Sequence, residues 1–315
     1  VRQALALRGG ESRTHIRRAI PLVVPGTLPV GVVTVVDRLP GVQDGNTRER
    51  DLQMMGFLNQ AARALQIVST RRHELSMAGR IQSSLLPESP PEPAGWRMAA
   101  TWLPARETSG DFYDFIEFPN GRVGIVLGDV TDKGMGAALY MALCRTLIRT
   151  YASVYPESPT RVLQAANRQL CADTHGGLFI PLIYGVLDPG SARLAYCNAG
   201  HHPPYHFPAR DLQTQYPLKN TGLPLGVMPE ATWEQVDLDL DPGDLLLLYT
   251  DGAVEAHNHK REVFGDQRML DIVSPLRRRS PRHIQEALVS GVRAYSAGNQ
   301  LSDDLTLVLI QREAV

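Results

Sequence analysis

Cysteine is scarce: Cys144, Cys171 and Cys197 are the only three in 315 residues, and none pair as CxxC. That usage argues against a disulfide framework and against a zinc site, and it suits a reduced cytoplasm. All three read as small core residues. Neither sign of charge is in excess, since 32 Lys and Arg face 33 Asp and Glu for a net charge of -1. No global field therefore recruits nucleic acid or an anionic membrane. Long hydrophobic runs are missing too. None approaches the roughly 20 residues a membrane helix needs, and no signal-peptide pattern opens the chain, whose first residue is Val. What is left is ordinary globular composition, 43% hydrophobic and 21% charged, long enough for a catalytic domain plus something extra.

What is present is organised around short apolar runs that stop on acids. Leu245-Leu246-Leu247-Leu248-Tyr249-Thr250 ends at Asp251-Gly252, and Val123-Gly124-Ile125-Val126-Leu127-Gly128 ends at Asp129. In mirror image, Asp303-Asp304 precede Leu305–Ile310, and Asp111 opens a run to Ile116. Such runs read as strands buried on both faces, and a carboxylate at a buried tip is costly without positive charge beside it. Any one tip alone is a common solvated turn acid. The repeated pattern is not.

Along the chain, Ala19–Val24 and Val30–Val36 read as two strands with a Pro/Gly turn between them, too little for a domain alone. From about Arg48 to Leu86, apolar residues such as Leu52, Met55, Leu58, Ala62, Leu65 and Val68 recur at mostly three or four, which predicts a long helix with an apolar seam. That seam either packs on its own domain or makes a homodimer or signal-transmitting linker. A proline-rich stop follows at Pro87–Pro93. Strands are then expected at Met98–Leu103 and Asp111–Phe118, with Asn120-Gly121 turning into Val123–Val130. A buried helix runs to about Tyr155, and Ser158-Pro159 and Ser280-Pro281 each open a capped helix. Strands at Leu178–Asp188, Arg193–Asn198, Trp233–Leu240 and Leu305–Gln311 complete an α+β pattern of facing antiparallel sheets with helices outside.

Acids gathered without an interleaved Lys or Arg cluster cannot all ionise unless a cation compensates. All-oxygen ligation selects Mg2+ or Mn2+. Two such ions ~3.5–4 Å apart would acidify a shared water for in-line attack on phosphorus. Gly128 and Gly252 would let backbone approach, and the Val130 carbonyl is a further candidate ligand.

Six motifs carry a resemblance to a known family: Ile81-Gln82-Ser83-Ser84-Leu85-Leu86-Pro87, Ser109-Gly110-Asp111-Phe112-Tyr113-Asp114, Gly128-Asp129-Val130-Thr131-Asp132-Lys133-Gly134, Asn198-Ala199-Gly200-His201-His202-Pro203-Pro204, Tyr249-Thr250-Asp251-Gly252 and Ser302-Asp303-Asp304-Leu305-Thr306. Over roughly residues 78 to 312 the chain resembles the SpoIIE/RsbU-type serine phosphatases of the PPM superfamily. Residues 1–47, with Gln60-Ala61-Ala62 of the helix, look like the C-terminal end of a GAF sensor domain. The resemblance implies an αββα sandwich from about residue 87, preceded by a helical linker over 48–86 and the GAF-like piece. It implies two Mn2+ or Mg2+ ions, with Asp129 bridging both, Asp111 and the Val130 carbonyl completing one site, and Asp251 with Asp303 holding the other. Asp304 is the alternative to Asp303, and Asp114 reads as supporting structure. Asp129, Asp111 and Asp251 are thus the candidate catalytic residues. The implied substrate is a phosphoserine or phosphothreonine on a STAS-domain anti-sigma factor antagonist. The alternative is a catalytically silent phosphoprotein-binding or relay module of the same fold.

Two departures stand out. Gly-Gly-Asp is Ser109-Gly110-Asp111 here. Where the wider superfamily often has a His two residues after the bridging acid, this chain has Thr131, which cannot serve as a general acid near neutral pH. His201 is a candidate by type, against a turn-fixing role. Arg106 is a candidate phosphate ligand, against a solvated loop arginine. Lys133-Gly134 lacks Walker spacing and carries no weight as a phosphate loop.

Overall fold

The computed structural model describes residues 15–22, 31–37, 47–174, 177–211, 214–296 and 301–314, with side chains from residue 56 onward. Most of the GAF-like piece expected over 1–47 lies outside them. The chain divides into two compact units, Val1–Glu74 and Leu75–Val315, so the division falls inside the long helix rather than at its ends.

In the first unit, β1 (His15–Leu22) pairs antiparallel with β2 (Gly31–Asp37). Helix α1 (Thr47–Leu85) begins there and runs 39 residues. Its apolar seam is divided. Leu58 and Ala62 are buried, whereas Phe57, Leu65 and Val68 stand exposed.

The second unit holds two five-stranded antiparallel sheets. The first contains β4 (Phe112–Glu117), β5 (Val123–Gly128), β6 (Leu182–Asp188), β7 (Arg193–Ala199) and β10 (Val236–Asp239), in the order β10-β7-β6-β5-β4. The second contains β3 (Trp96–Leu103), β8 (Tyr205–Phe207), β9 (Tyr216–Pro217), β11 (Leu245–Tyr249) and β12 (Leu305–Arg312), in the order β3-β12-β11-β8-β9. Helices α2 (Met135–Val154) and α3 (Pro159–Asp173) pack on the first sheet; α5 (Pro281–Tyr295) packs on the second, with α4 (Gly265–Leu276) against α5. This is the αββα sandwich the sequence led us to expect.

The layers explain the unbroken apolar runs. Antiparallel strands usually alternate because one face meets water. Here each sheet is covered on both faces. Leu246 and Leu248 of β11, with Val308 and Ile310 of β12, join the core shared with the first sheet. Their neighbours Leu245, Leu247 and Tyr249, with Leu305, Leu307 and Leu309, join the core under α4 and α5. Period-two alternation therefore distributes leucines between two cores instead of between core and solvent.

Local signals place the helices. Ser158 and Ser280 accept from Arg161 N and His283 N, each at 3.4 Å, with proline at the first helical position of both α3 and α5. The Asn120-Gly121 turn closes with Gly121 at φ 80° and two 2.9 Å backbone bonds between Phe118 and its partners Gly121 and Arg122. Three expectations differ. Strand β6 starts at Leu182, not Leu178, because the backbone before it is used elsewhere: Ile180 bridges Leu225, and Pro181 O accepts from Asp129 N at 3.0 Å. Strands β8 and β9 are too short to show as patterns. Helix α4 carries Pro275 in its last turn and glycine at its start, two signals that read against a helix, and it forms because Met269, Leu270 and Val273 bury into the second core.

Candidate functional site

Pairing register brings the acid tips to one edge of the sandwich. Phe112 opposite Gly128 sets Asp111 beside Asp129 in the first sheet. Tyr249 opposite Leu307 sets Thr250 beside Thr306 in the second, where Thr250 N donates to Thr306 O at 3.0 Å. The sheets are then joined through a carboxylate. Thr250 Oγ1 and Thr306 Oγ1 both donate to Asp111 Oδ2, at 2.6 and 2.7 Å. Thr250 Oγ1 in turn accepts from Thr306 N at 3.0 Å. Both threonines stand inside the quoted motifs, yet sequence reasoning gave them no role. The signal was a threonine within two residues of the acids at the β11 and β12 tips, Thr250 before Asp251 and Thr306 after Asp304.

Asp111 is buried. Burial first, and the Asp129 charge second, push its carboxyl well above the usual carboxylate range, against the pull of the two threonine hydroxyls. Burial, then the Asp251 charge, with Asp303 and Asp304 adding, raises Asp129 to about 7, although its hydrogen bond with Asp111 opposes the shift. Asp251 is raised too, by burial and then by Asp303 and Glu255. Three carboxyls, each pushed upward first by burial and then by the charge of a neighbouring acid, mark a cluster short of cations.

The neighbouring acids have different work. Asp304 is buried and accepts two backbone amides, Ala105 N at 2.7 Å and Gly110 N at 3.2 Å. It clamps the loop that presents Asp111, in which the exposed Arg106 follows Ala105. Asp303, partly exposed, meets Lys133 Nζ at 2.5 Å. Asp114 lies on the same strand as the site but is turned away into an ion pair with Arg145 (3.1 Å) and Arg149 (2.5 Å) of α2.

Glycines act by proximity. A Cβ on Gly252 would lie 2.0 Å from Asp304 O, and one on Gly110 would lie 2.9 Å from Val130 O and 3.4 Å from Asp129 Oδ1. Gly128 differs from the expectation: it makes room for the Phe112 ring, 2.8 Å from such a Cβ, rather than for backbone. Ser109, standing where the family pattern has glycine, is buried and its Oγ accepts from Asp111 N at 3.1 Å. The serine thus supports the loop that presents Asp111 instead of only costing it freedom. Thr131 spends its hydroxyl on the Phe179 backbone, donating to O at 2.9 Å and accepting from N at 3.1 Å.

His201 is buried, with its backbone N donating to Asn198 Oδ1 at 2.8 Å and Asn198 Nδ2 donating back to His201 O at 3.1 Å. Its Nδ1 lies 3.0 Å from His202 O, and burial lowers the ring to about 4. The imidazole is neutral at neutral pH and fixes the turn. Exposed His202 is the ring that stands near the acids: it lies 6.0 Å from the Tyr249 ring, and its charge pulls Asp251 downward.

The last turns of α1 reach the site directly. Gln82, buried, donates from Nε2 to Ser109 O at 2.8 Å and accepts at Oε1 from Ser109 N at 3.1 Å. A Cβ on Gly79 would come 1.9 Å from Glu107 O, so helix and loop touch backbone to backbone.

The donor set, all carboxylate and carbonyl oxygen, fits a hard divalent cation. Among the described residues no three or more His, Cys, Asp or Glu side chains are grouped so as to hold a metal ion as they stand. The reason is visible: Asp111, Asp303 and Asp304 each have oxygens engaged by hydroxyls, an ammonium or amides.

Residues 119–313, more than half of the chain, match the family Stage II sporulation protein E (SpoIIE), and the chain belongs to that family. The second unit has the fold of PP2C-type phosphatase domains. The chain is 31% identical over 267 residues to Protein IcfG of Synechocystis sp. (strain ATCC 27184 / PCC 6803 / Kazusa), covering 76% of this chain and 42% of that one. It is 27% identical over 245 residues to Phosphoserine phosphatase RsbU of Bacillus subtilis (strain 168), covering 77% and 71%. In fold it resembles the SiaA-PP2C domain of Pseudomonas aeruginosa, at TM-score 0.70 and 20% identity over 78% of this chain and 98% of that one. The chain therefore spans less than half of IcfG and most of RsbU. None of these matches speaks for the GAF-like piece.

Proposed function

We propose that this protein is a metal-dependent protein serine/threonine phosphatase. The observation that carries the proposal is the edge where Asp111, Asp129, Asp251 and Asp303 gather, with Asp129 raising Asp111, Asp251 raising Asp129, and Asp303 raising both Asp129 and Asp251. Asp111, Asp129 and the Val130 carbonyl would hold one Mn2+ or Mg2+ ion, and Asp129, Asp251 and Asp303 a second. The backbone clamp on Asp304 supports Asp303 over Asp304 as the ligand. Bound divalent ions supply Lewis acidity, neutralising phosphate charge and acidifying water.

The chain's own residues do the rest. Thr250 and Thr306 hold Asp111 in one orientation, and Asp304 and Gln82 hold the loop behind it. Arg106 offers a planar guanidinium at the rim for a phosphoryl group. Thr131 is committed to Phe179, so the departing seryl oxygen takes its proton from another group. The substrate we propose is a phosphorylated STAS-domain anti-sigma factor antagonist, its phosphoserine being in keeping with the name of the RsbU relative, a phosphoserine phosphatase. The exposed apolar residues Phe57, Ile67 and Val68 of α1 support a homodimer through that helix, and no helix among the described residues is long and apolar enough to cross a membrane.

The test is turnover of p-nitrophenyl phosphate and of a phosphorylated STAS protein with Mn2+, with chelator, and in Asp129→Asn. Metal-dependent hydrolysis lost in the variant is the expected result. Tight binding of the phosphoprotein without hydrolysis would replace the enzyme by a silent binding module.

A further inference from the structure

Among the described residues one lysine reaches the acid edge, and the backbone is bent to deliver it. Asp132 is one of three non-glycine residues at positive φ among the described residues, at 96°, and Gly134 follows at 88°. Left-handed backbone at a non-glycine residue costs energy and persists where the surroundings demand it. Between these two residues stands Lys133. Its amide donates to Asp132 Oδ1 at 2.8 Å, and its side chain crosses to the loop before β12. There Nζ lies 2.5 Å from Asp303 Oδ2 and 3.4 Å from Ser302 O. Among the described residues no other lysine or arginine pairs with Asp111, Asp129, Asp251, Asp303 or Asp304. Asp303 is moreover one of the charges that raise Asp129 and Asp251.

We propose that Lys133 is a tethered counter-ion that competes with a divalent ion for Asp303. In the metal-free protein its ammonium takes up part of the charge that the acid edge leaves uncompensated. A metal ion entering the Asp251–Asp303 side must displace it, so Lys133 weakens uptake there and makes occupancy of that side depend on the free ion concentration. Lys133 is thus a positioning residue acting through Asp303. The tether suits exchange: the side chain is 43% exposed and its head can swing into water when displaced. The inference rests on the divalent-metal reading above.

Calorimetric titration of Mn2+ into the metal-free full chain tests it. Lys133→Gln is expected to bind Mn2+ about tenfold more tightly than wild type, as loss of a screened charge a few ångström from the ion predicts. Its metal-free form is expected to melt lower than wild type, and Lys133→Arg to stay near wild type in both. A merely structural lysine would weaken metal binding on removal, not strengthen it. In an Asp303→Asn background, Lys133→Gln should change affinity no further. Unchanged or weaker binding by a folded Lys133→Gln protein, or equal tightening with and without Asp303, overturns the inference. Absence of Mn2+ uptake by wild type would instead overturn the metal reading on which it stands.

Discussion

Two carboxylates three residues apart on or beside β4 have opposite surroundings. Asp114, almost wholly buried, is met by two arginines of α2, and Arg149 also donates to Phe115 O at 2.9 Å. Asp111, equally buried, is met by two threonines and another acid. The first cluster carries its own counter-charge and ties a helix to a sheet. The second carries negative charge beyond what its hydroxyls can compensate. A buried acid with built-in cations is structure, and a buried group of acids without them suits a cation from solution.

Asparagine at each position breaks the comparison most directly. Asp129→Asn should reduce metal-dependent hydrolysis by about a thousandfold or more, the scale of losing a group that acts only in the reacting complex, while leaving the metal-free fold as stable or more so. Asp114→Asn should do the reverse. It strands two arginines and should cost about 2–4 kcal/mol in urea unfolding, discounted because Arg149 is part-exposed, with metal affinity preserved.

Loss of the hydroxyls comes next. Thr250→Val with Thr306→Val removes the donors that favour ionised Asp111 and should weaken Mn2+ binding roughly tenfold or more, by about 1.5–3 kcal/mol for hydrogen bonds to a charged group, as calorimetry would show. Gln82→Ala leaves Ser109 N and O without their side-chain partner and loosens the loop behind Asp111. Several-fold lower activity and weaker metal binding are expected, with little change in melting temperature. That result would make α1 a lever on the site, since a rotation of its last turns would move the first ligand. Truncation at about Pro87 that left rate and metal affinity unchanged would sink this.

The smallest effect is in pH. A carboxyl raised on folding makes the native state bind more protons, so stability is lost as pH rises from the unfolded value toward about 7 for Asp129. His201, lowered to about 4, works the other way: its contribution is present above about 6.5 and lost as pH falls toward 4. Metal-free melting curves of wild type and Asp129→Asn should therefore diverge between pH 5 and pH 8, the variant gaining as pH rises. Added Mn2+ should close the gap. Parallel curves would show that Asp129 is not raised.

Much of this was legible in one dimension. The apolar runs, the acids at their tips, the Ser-Pro helix starts and the Asn-Gly turn are local signals, and each governs backbone within a few residues of itself. Those runs even betrayed the four layers, because only a sheet covered on both sides needs no polar alternation. The motifs placed the acids on one edge before any pairing was known.

Register and partnership were not legible, because they depend on residues far apart in the chain. Nothing near Asp304 announces that its two oxygens belong to Ala105 and Gly110, nor that Asp303 faces Lys133. No local pattern shows that Asp114 is closed off by α2, that Gln82 grips Ser109, or that Thr250 and Thr306 meet on one oxygen of Asp111. The sequence by itself determined which strands exist and which of them end in acid, through short-range propensity and burial. Tertiary structure alone decided which acids keep uncompensated charge, because compensation is a matter of distance in space.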